Sequence, residues 1–259
     1  MAGIVTAPLI APLLGGLVET NFGWRALFAL LSAFGIVALL AVAALVTRDH
    51  GRDQISGFRG AITDYRIVIS DRQTMLAILT AASAFGALFA FVTGSTAIYM
   101  VYFGQPSSSY GLLFAMNGGA MLAANALNAK LVNHIGPDRL IRLGAIIMAV
   151  AGSSLIGSLL FSSGLNAFIA FVMVFFFGFA FVETNSAIIA LSTFPERNGS
   201  VAALMGASQF GFGAAASGVV VFFAEGSPLA IVSVMVLSSV IVGSLVFLIS
   251  KTLGEVRYD

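Results

Sequence analysis

Residues 26–46 read ALFALLSAFGIVALLAVAALV, an uncharged apolar run that is followed by the charged segment 47–74. A helix needs roughly 20 residues, at 1.5 Å each, to cross about 30 Å of hydrocarbon. Seven further runs of similar length occur, at 1–18, 75–103, 111–129, 143–161, 167–191, 201–224 and 229–250. Only 9% of the residues are charged and the mean hydropathy is +1.03, outside the range of soluble proteins. The sequence therefore predicts an all-α polytopic membrane protein with eight transmembrane helices.

The basic residues are distributed unevenly between the two sides of these spans. Eleven of the 12 follow the second, fourth or sixth span or lie in the C-terminal tail, and only Arg25 is on the opposite side. Segments rich in Lys and Arg stay in the cytoplasm, so we expect both termini of this chain on the cytoplasmic side of a bacterial inner membrane. The net charge of +1 argues against a nucleic-acid partner. The chain has no cysteine, so disulfides and thiolate metal sites are excluded.

The segment 47–74 divides the predicted spans into two and six. It is polar, and its part 61–70 has the pattern of an interfacial helix, with Ile62, Ile67 and Ile69 among polar neighbours. Six spans after a long cytoplasmic loop are typical of the second half of a 6 + 6 transporter. On that interpretation four helices are missing before Met1. Spacing alone leaves open a genuine eight-helix protein with one long loop.

A motif near the start of the chain indicates a family. Residues 11–16 are APLLGG, and residues 21–28, NFGWRALF, follow. This pattern resembles the antiporter signature in the fifth helix of major facilitator drug:proton antiporters, and alanine at its first position is similar to the Bcr/CflA branch. Prolines one turn apart bend a helix, and paired glycines admit a close neighbour, although an ordinary kinked packing helix would use both as well. The motif residues are Pro8, Ala11, Pro12, Gly15 and Gly16.

Further resemblances follow in the family's order. Residues 91–99 (FVTGSTAIY) resemble its seventh helix and residues 110–117 (YGLLFAMN) its eighth, while parts of 185–213 resemble the tenth and eleventh. Residues 128–137 (NAKLVNHIGP) are similar to a diverged copy of the family's cytoplasmic loop motif. The motif positions here are Leu131, Asn133, His134, Gly136 and Arg139, of which Asn133 and His134 replace the family's Asp and Arg.

Taken together, the resemblances cover nearly the whole chain and imply a major facilitator fold that lacks its first four helices. Residues 1–46 would then be the last two helices of the N-terminal half, 47–74 the central cytoplasmic loop and 75–259 the C-terminal six-helix half. The chain would be a fragment running from the fifth to the twelfth helix.

Glu183 is the acid that lies deep within a predicted span, roughly 15 Å from the cytoplasmic end of its helix. An acid at that depth costs about 2.5–3.5 kcal/mol on insertion scales and is usually kept for pairing or function. We predict that it couples transport to protons or binds a cationic substrate; a structural hydrogen bond and neutral lining of a cavity are the alternatives. Asn117, Gln209, Tyr99 and Asn185 are the other candidates for substrate or proton contact. Phenylalanines crowd span 167–191, where they would either line a cavity for apolar ligands or pack.

The resemblance implies a secondary active transporter for proton-coupled multidrug efflux, which exports hydrophobic or cationic drugs or small metabolites by alternating access. Its expected partners are a drug-like small molecule, protons and the lipid bilayer. A proton gradient would supply the energy in place of a cofactor, and the full-length protein would be monomeric. An inactive truncated membrane remnant and a polytopic membrane enzyme are the alternatives. The enzyme is disfavoured because His50 and His134, the only histidines, lie at the predicted cytoplasmic surface, and neither catalytic nor metal-binding residues are predicted.

Overall fold

The computed structural model describes residues 18, 21–45, 58–223 and 227–256. These residues form helices and short connections, and no strand occurs among them. A π-helical turn spans Ala97–Tyr102, and a 3-10 turn spans Pro195–Arg197. The helices are α1 (Trp24–Leu45), α2 (Phe58–Ser70), α3 (Arg72–Thr96), α4 (Ser107–Ile135), α5 (Pro137–Leu160), α6 (Leu165–Thr193), α7 (Asn198–Phe223) and α8 (Pro228–Val256).

The predicted polytopic all-α membrane protein is confirmed. Six helical segments in the described part of the chain are long and apolar enough to cross a membrane: Trp24–Ala44, Arg72–Tyr102, Pro137–Leu160, Leu165–Thr193, Pro195–Phe223 and Pro228–Lys251. Helix α4, which contains the predicted span 111–129, is long enough at 29 residues but less apolar, because Asn117, Asn125 and Asn128 interrupt it. The predicted span 1–18 lies outside the described residues, apart from Val18.

The chain divides into two compact units, residues 1–61 and 62–259. In the first unit, α1 exposes apolar side chains along most of its length, as expected of a helix that contacts lipid. The second unit contains α3–α8 and most of α2. The division falls inside the predicted central loop, while the boundaries 1–46, 47–74 and 75–259 stay predictions.

Helices α3–α8 pack as two related groups of three. The main pairs are α5 with α6, α3 with α7, α3 with α8, α4 with α6, α5 with α8 and α3 with α6. Exchanging α3, α4 and α5 for α6, α7 and α8 maps this set of pairs onto itself. Such an exchange is the packing signature of an internal three-helix repeat, which major facilitator halves contain.

The α5–α6 pair is close because glycines face each other across it. A Cβ atom built on Gly144 would lie 2.8 Å from the carbonyl oxygen of Gly178, and one built on Gly178 would lie 2.8 Å from that of Gly144. Small residues let membrane helices approach in this way. The core around them contains fully buried phenylalanines, so packing accounts for most of the aromatic residues of α6: Phe168, Phe175, Phe176, Phe179 and Phe181.

Helix α2 confirms the helix predicted within 61–70. Its Val68 is fully buried, whereas Ile62 and Ile69 are exposed. Arg197, in the turn between α6 and α7, forms an ion pair with Asp64 at 3.0 Å between Nε and Oδ1. This end of the bundle, which the basic residues predict to be cytoplasmic, is therefore tied to α2.

Candidate functional site

Glu183 lies in the middle of α6 and contacts α7 through a hydrogen bond. Gln209 donates from Nε2 to Oε1 of Glu183 at 2.7 Å. The second carboxyl oxygen, Oε2, is buried and has no hydrogen-bond partner among the described residues. Helices α6 and α7 otherwise make few contacts, so this polar pair is a main connection between them. One carboxyl oxygen is thus oriented by Gln209, and the other is buried without a partner among the described residues.

Aromatic rings lie within one turn of this pair on both helices. Phe179 precedes Glu183 by one turn of α6, and Phe210 follows Gln209 on α7. The ring of Phe85, from α3, lies 5.8 Å from that of Phe179 and 6.2 Å from that of Phe210, and Phe89 lies 6.0 Å from Phe210. We call Phe85, Phe89, Phe179 and Phe210 the aromatic cluster. Because Phe210 is 63% exposed, the cluster is open on its α7 side, and a carboxylate beside such rings can hold an organic cation.

The two residues after Glu183 contact α4 instead of α7. Thr184 donates from Oγ1 to Oδ1 of Asn125 at 2.7 Å. Asn185 donates from Nδ2 to Oδ1 of Asn128 and to the carbonyl oxygen of Phe181, both at 2.7 Å. Three consecutive residues of α6 therefore join it to both α4 and α7. For Asn185 this geometry favours a structural role, although its buried Oδ1 has no partner among the described residues.

Sequence reasoning missed Thr184 as a contact residue. Its hydroxyl gave no signal because threonine in a helix commonly bonds the backbone of the preceding turn. Knowing that α4 packs on α6 would have been needed to pair it with Asn125.

Tyr99 and Asn117 are buried polar neighbours at a position separate from Glu183. Tyr99 lies in the π-helical turn and is fully buried, and Asn117 of α4 is 4% exposed. Asn117 is the polar neighbour of the Tyr99 hydroxyl, yet neither side chain reaches hydrogen-bond geometry with a described residue. Phe91 and Phe168 lie beside the Tyr99 ring at 6.1 and 6.3 Å between centroids. The structure thus brings Glu183 and Gln209 together but keeps Tyr99 and Asn117 separate from them.

The predicted loop motif forms the turn between α4 and α5. Gly136 has φ +85°, a conformation that only glycine adopts without strain, and it lets α5 begin at the next residue. Leu131 packs against a small core cluster. Asn133, His134 and Arg139 line a concavity at the surface of the turn, so the motif residues do come together in space.

Two of the predictions concern residues that the structure describes only in part or not at all. The antiporter motif (Pro8, Ala11, Pro12, Gly15 and Gly16) lies outside them. Among the residues that the structure describes, no group of three or more His, Asp or Glu side chains could hold a metal ion.

Comparison with known proteins agrees with the packing and the order of motifs. The family model described as Major Facilitator Superfamily matches residues 1–218. A bicyclomycin resistance protein homolog of Haemophilus influenzae is 30% identical over 211 residues, which are 80% of this chain and 53% of the relative.

Two further relatives carry names of multidrug proteins. The multidrug transporter MdfA of Edwardsiella ictaluri is 27% identical over 77% of this chain and 49% of its own length. The multidrug resistance protein MdtL of Vibrio parahaemolyticus is 24% identical over 97% of this chain and 63% of its own length. The chain spans about half the length of such curated relatives. The resemblance to multidrug transporters that the motifs indicate is confirmed. Helices α3–α8 pack as a three-helix repeat and the family model matches most of the chain, so the chain belongs to the Major Facilitator Superfamily.

Proposed function

We propose that this chain is part of a secondary active transporter that exports hydrophobic or cationic drugs or small metabolites in exchange for protons. The hydrogen-bonded pair of Glu183 and Gln209 beside the aromatic cluster carries this proposal. The names of the relatives, which include multidrug transporters and a bicyclomycin resistance homolog, support export of drug-like molecules.

Glu183 would bind the proton and the substrate alternately. Gln209 holds one carboxyl oxygen, while the other has no protein partner among the described residues and can take either a proton or the cationic group of a substrate. Two ligands that compete for one carboxylate are what an exchange mechanism requires. Phe85, Phe89 and Phe210, the members of the aromatic cluster that are not fully buried, would contact the apolar part of the substrate.

Alternating access would use the sparse contact between α6 and α7. Because these helices share few contacts beyond the Glu183–Gln209 hydrogen bond, α7 can shift relative to α6 with little loss of packing between the two, while it stays packed on α3. By contrast, α6 is held to α5 by the facing glycines 144 and 178 and to α4 by two side-chain hydrogen bonds. We propose that α4 and α5 keep their contacts with α6 when α6 and α7 move relative to each other.

We also propose a location in a bacterial inner membrane, with both termini of this chain cytoplasmic. The distribution of basic residues supports this orientation. The proton gradient would supply the energy without a resident cofactor, and the full-length protein would be a monomer. No enzymatic activity is proposed.

Ethidium efflux from energised cells that lack their own drug pumps tests this function. The full-length reading frame and the 259-residue chain are compared at equal membrane levels, with and without a protonophore. We expect export by the full-length protein, abolished by the protonophore and lost in Glu183→Gln. Glu196→Gln is the matched control, because it neutralises an exposed acid in the α6–α7 turn. Export that persists with the protonophore would contradict proton coupling. Export by the short chain itself would exclude an inactive remnant.

A further inference from the structure

The turn between α4 and α5 gathers three basic side chains around one concavity. His134, Arg139 and Arg142 line it together with Asn133 and Asp138. All three basic residues are exposed, and neither arginine forms an ion pair within the described residues. We call His134, Arg139 and Arg142 the basic cluster. The transport mechanism proposed above makes no use of it.

One member of the cluster is held in place by its own helix. Arg142 donates from Nε to the carbonyl oxygen of Asp138 at 3.0 Å. This bond occupies Nε and leaves the two terminal nitrogens of the guanidinium group for other acceptors at the concavity that Arg142 lines. Paired N–H groups of arginine match the oxygens of a phosphate, so the cluster suits a phosphate-bearing ligand.

An exposed apolar stripe continues from the cluster along α5. Leu143, Ile146 and Val150 are 44%, 62% and 62% exposed, and their spacing of three and four residues places them on one helix face. Arg139 precedes Leu143 by four residues and Arg142 precedes Ile146 by four, so both arginines lie on that face as well. A cationic end above an apolar stripe is the complement of a molecule with an anionic head and a hydrocarbon chain.

We propose that the α4–α5 turn binds an anionic glycerophospholipid. The phosphodiester contacts Arg139, Arg142 and His134, and an acyl chain lies along Leu143, Ile146 and Val150. The position supports this source of phosphate, because α5 is long and apolar enough to cross a membrane, which would place its first turn at the level of the lipid headgroups. Basic pockets at the ends of membrane helices bind anionic headgroups for the same electrostatic reason. A free phosphate ester would bind the basic cluster but would gain no binding energy from the apolar stripe.

Native mass spectrometry of the purified chain in detergent, titrated with palmitoyl-oleoyl-phosphatidylglycerol, tests this site. We expect the double variant Arg139→Gln/Arg142→Gln to weaken binding of this lipid by about 30-fold. The control Arg72→Gln/Lys251→Gln removes the same charge from exposed positions and should change binding by less than about twofold. Phosphatidylcholine, which has no net charge, should bind weakly and equally to all three proteins. Equal weakening by both double variants would overturn the site.

Two further arms separate a lipid from a free phosphate ester. Leu143→Ser/Ile146→Ser should weaken phosphatidylglycerol binding although it leaves the basic cluster intact, and glycerol phosphate should fail to displace the lipid. Displacement by glycerol phosphate, or lipid binding that is unchanged in the serine variant, would overturn the lipid proposal in favour of a simple anion site. Circular dichroism and gel filtration of each variant confirm that the helices and the monodisperse particle are retained.

Discussion

Glu183 of α6 and Gln209 of α7 share a 2.7 Å hydrogen bond across a helix pair that otherwise makes few contacts. The bond leaves Oε2 of the carboxyl group buried and without a partner among the described residues. The pair therefore combines a fixed orientation with one free acceptor, as expected of a carboxylate that binds alternating ligands.

Replacing Gln209 by leucine should lower ethidium efflux, because Glu183 then lacks the donor that orients it. Since the two residues act as one unit, the double variant Glu183→Gln/Gln209→Leu should bind ethidium no more weakly than Glu183→Gln alone. The measurements are the initial efflux rate for Gln209→Leu and, for the double variant, the ethidium dissociation constant of the purified full-length protein, because Glu183→Gln has no export left to lose. Additive losses in the double variant would show that the two residues act independently.

The facing glycines of α5 and α6 should be intolerant of even a methyl group. Gly144→Ala places a Cβ at 2.8 Å from both the Gly178 carbonyl oxygen and the Phe181 Cβ, so we expect destabilisation of about 1–3 kcal/mol from overpacking. Gly157→Ala on the same helix is the control, because a Cβ there meets nothing within 4 Å. Thermal unfolding in detergent measures both.

Helix propensity predicts the direction in which the control variant Gly157→Ala changes stability. Alanine replaces glycine in a helix with a gain of up to about 1 kcal/mol, so Gly157→Ala should be neutral or stabilising. Equal melting temperatures for the two variants would contradict the close approach of α5 and α6.

The hydrogen bond between Asn185 and Asn128 should contribute modestly to stability. Interhelical polar contacts in membrane proteins average about 0.6 kcal/mol and reach about 1.7 kcal/mol. A double-mutant cycle with Asn128→Ala and Asn185→Ala, followed by thermal unfolding, should give a coupling in that range. Loss of transport without any coupling would instead indicate that Asn185 contacts the substrate.

The orientation in the membrane can be tested with single cysteines, because the chain has none of its own. Ser163→Cys, in the exposed turn between α5 and α6, should react with a membrane-impermeant maleimide added outside the cells. Asn198→Cys, exposed at the start of α7, should react only after permeabilisation. The reverse pattern would invert the predicted topology.

The sequence predicted the helices well because each span needs only length and apolarity. Span 26–46 and helix α1 (Trp24–Leu45) agree closely, and a helix is present over 61–70 as part of α2, while its interfacial position stays a prediction. The sequence also identified Glu183 and Gln209, but as two separate polar residues that are costly to place in a membrane.

The pairing of these residues could not be predicted from the sequence. Helix α6 is apolar all round, so periodicity does not show which face meets α4 and which meets α7. For the same reason the role of its phenylalanines stayed open until their burial was known. The three asparagines of the predicted span 111–129 reduced its apolarity, and two of them, Asn125 and Asn128, proved to be partners of α6.

Proton release on substrate binding tests the central role of Glu183 most directly. The full-length protein, purified in detergent and kept in unbuffered solution near neutral pH, is mixed with ethidium while a pH-sensitive dye is monitored. We predict that the wild type and Glu196→Gln release protons as ethidium binds, and that Glu183→Gln binds without releasing any. Release from Glu183→Gln equal to that of the wild type would contradict competition between proton and cation at this carboxylate.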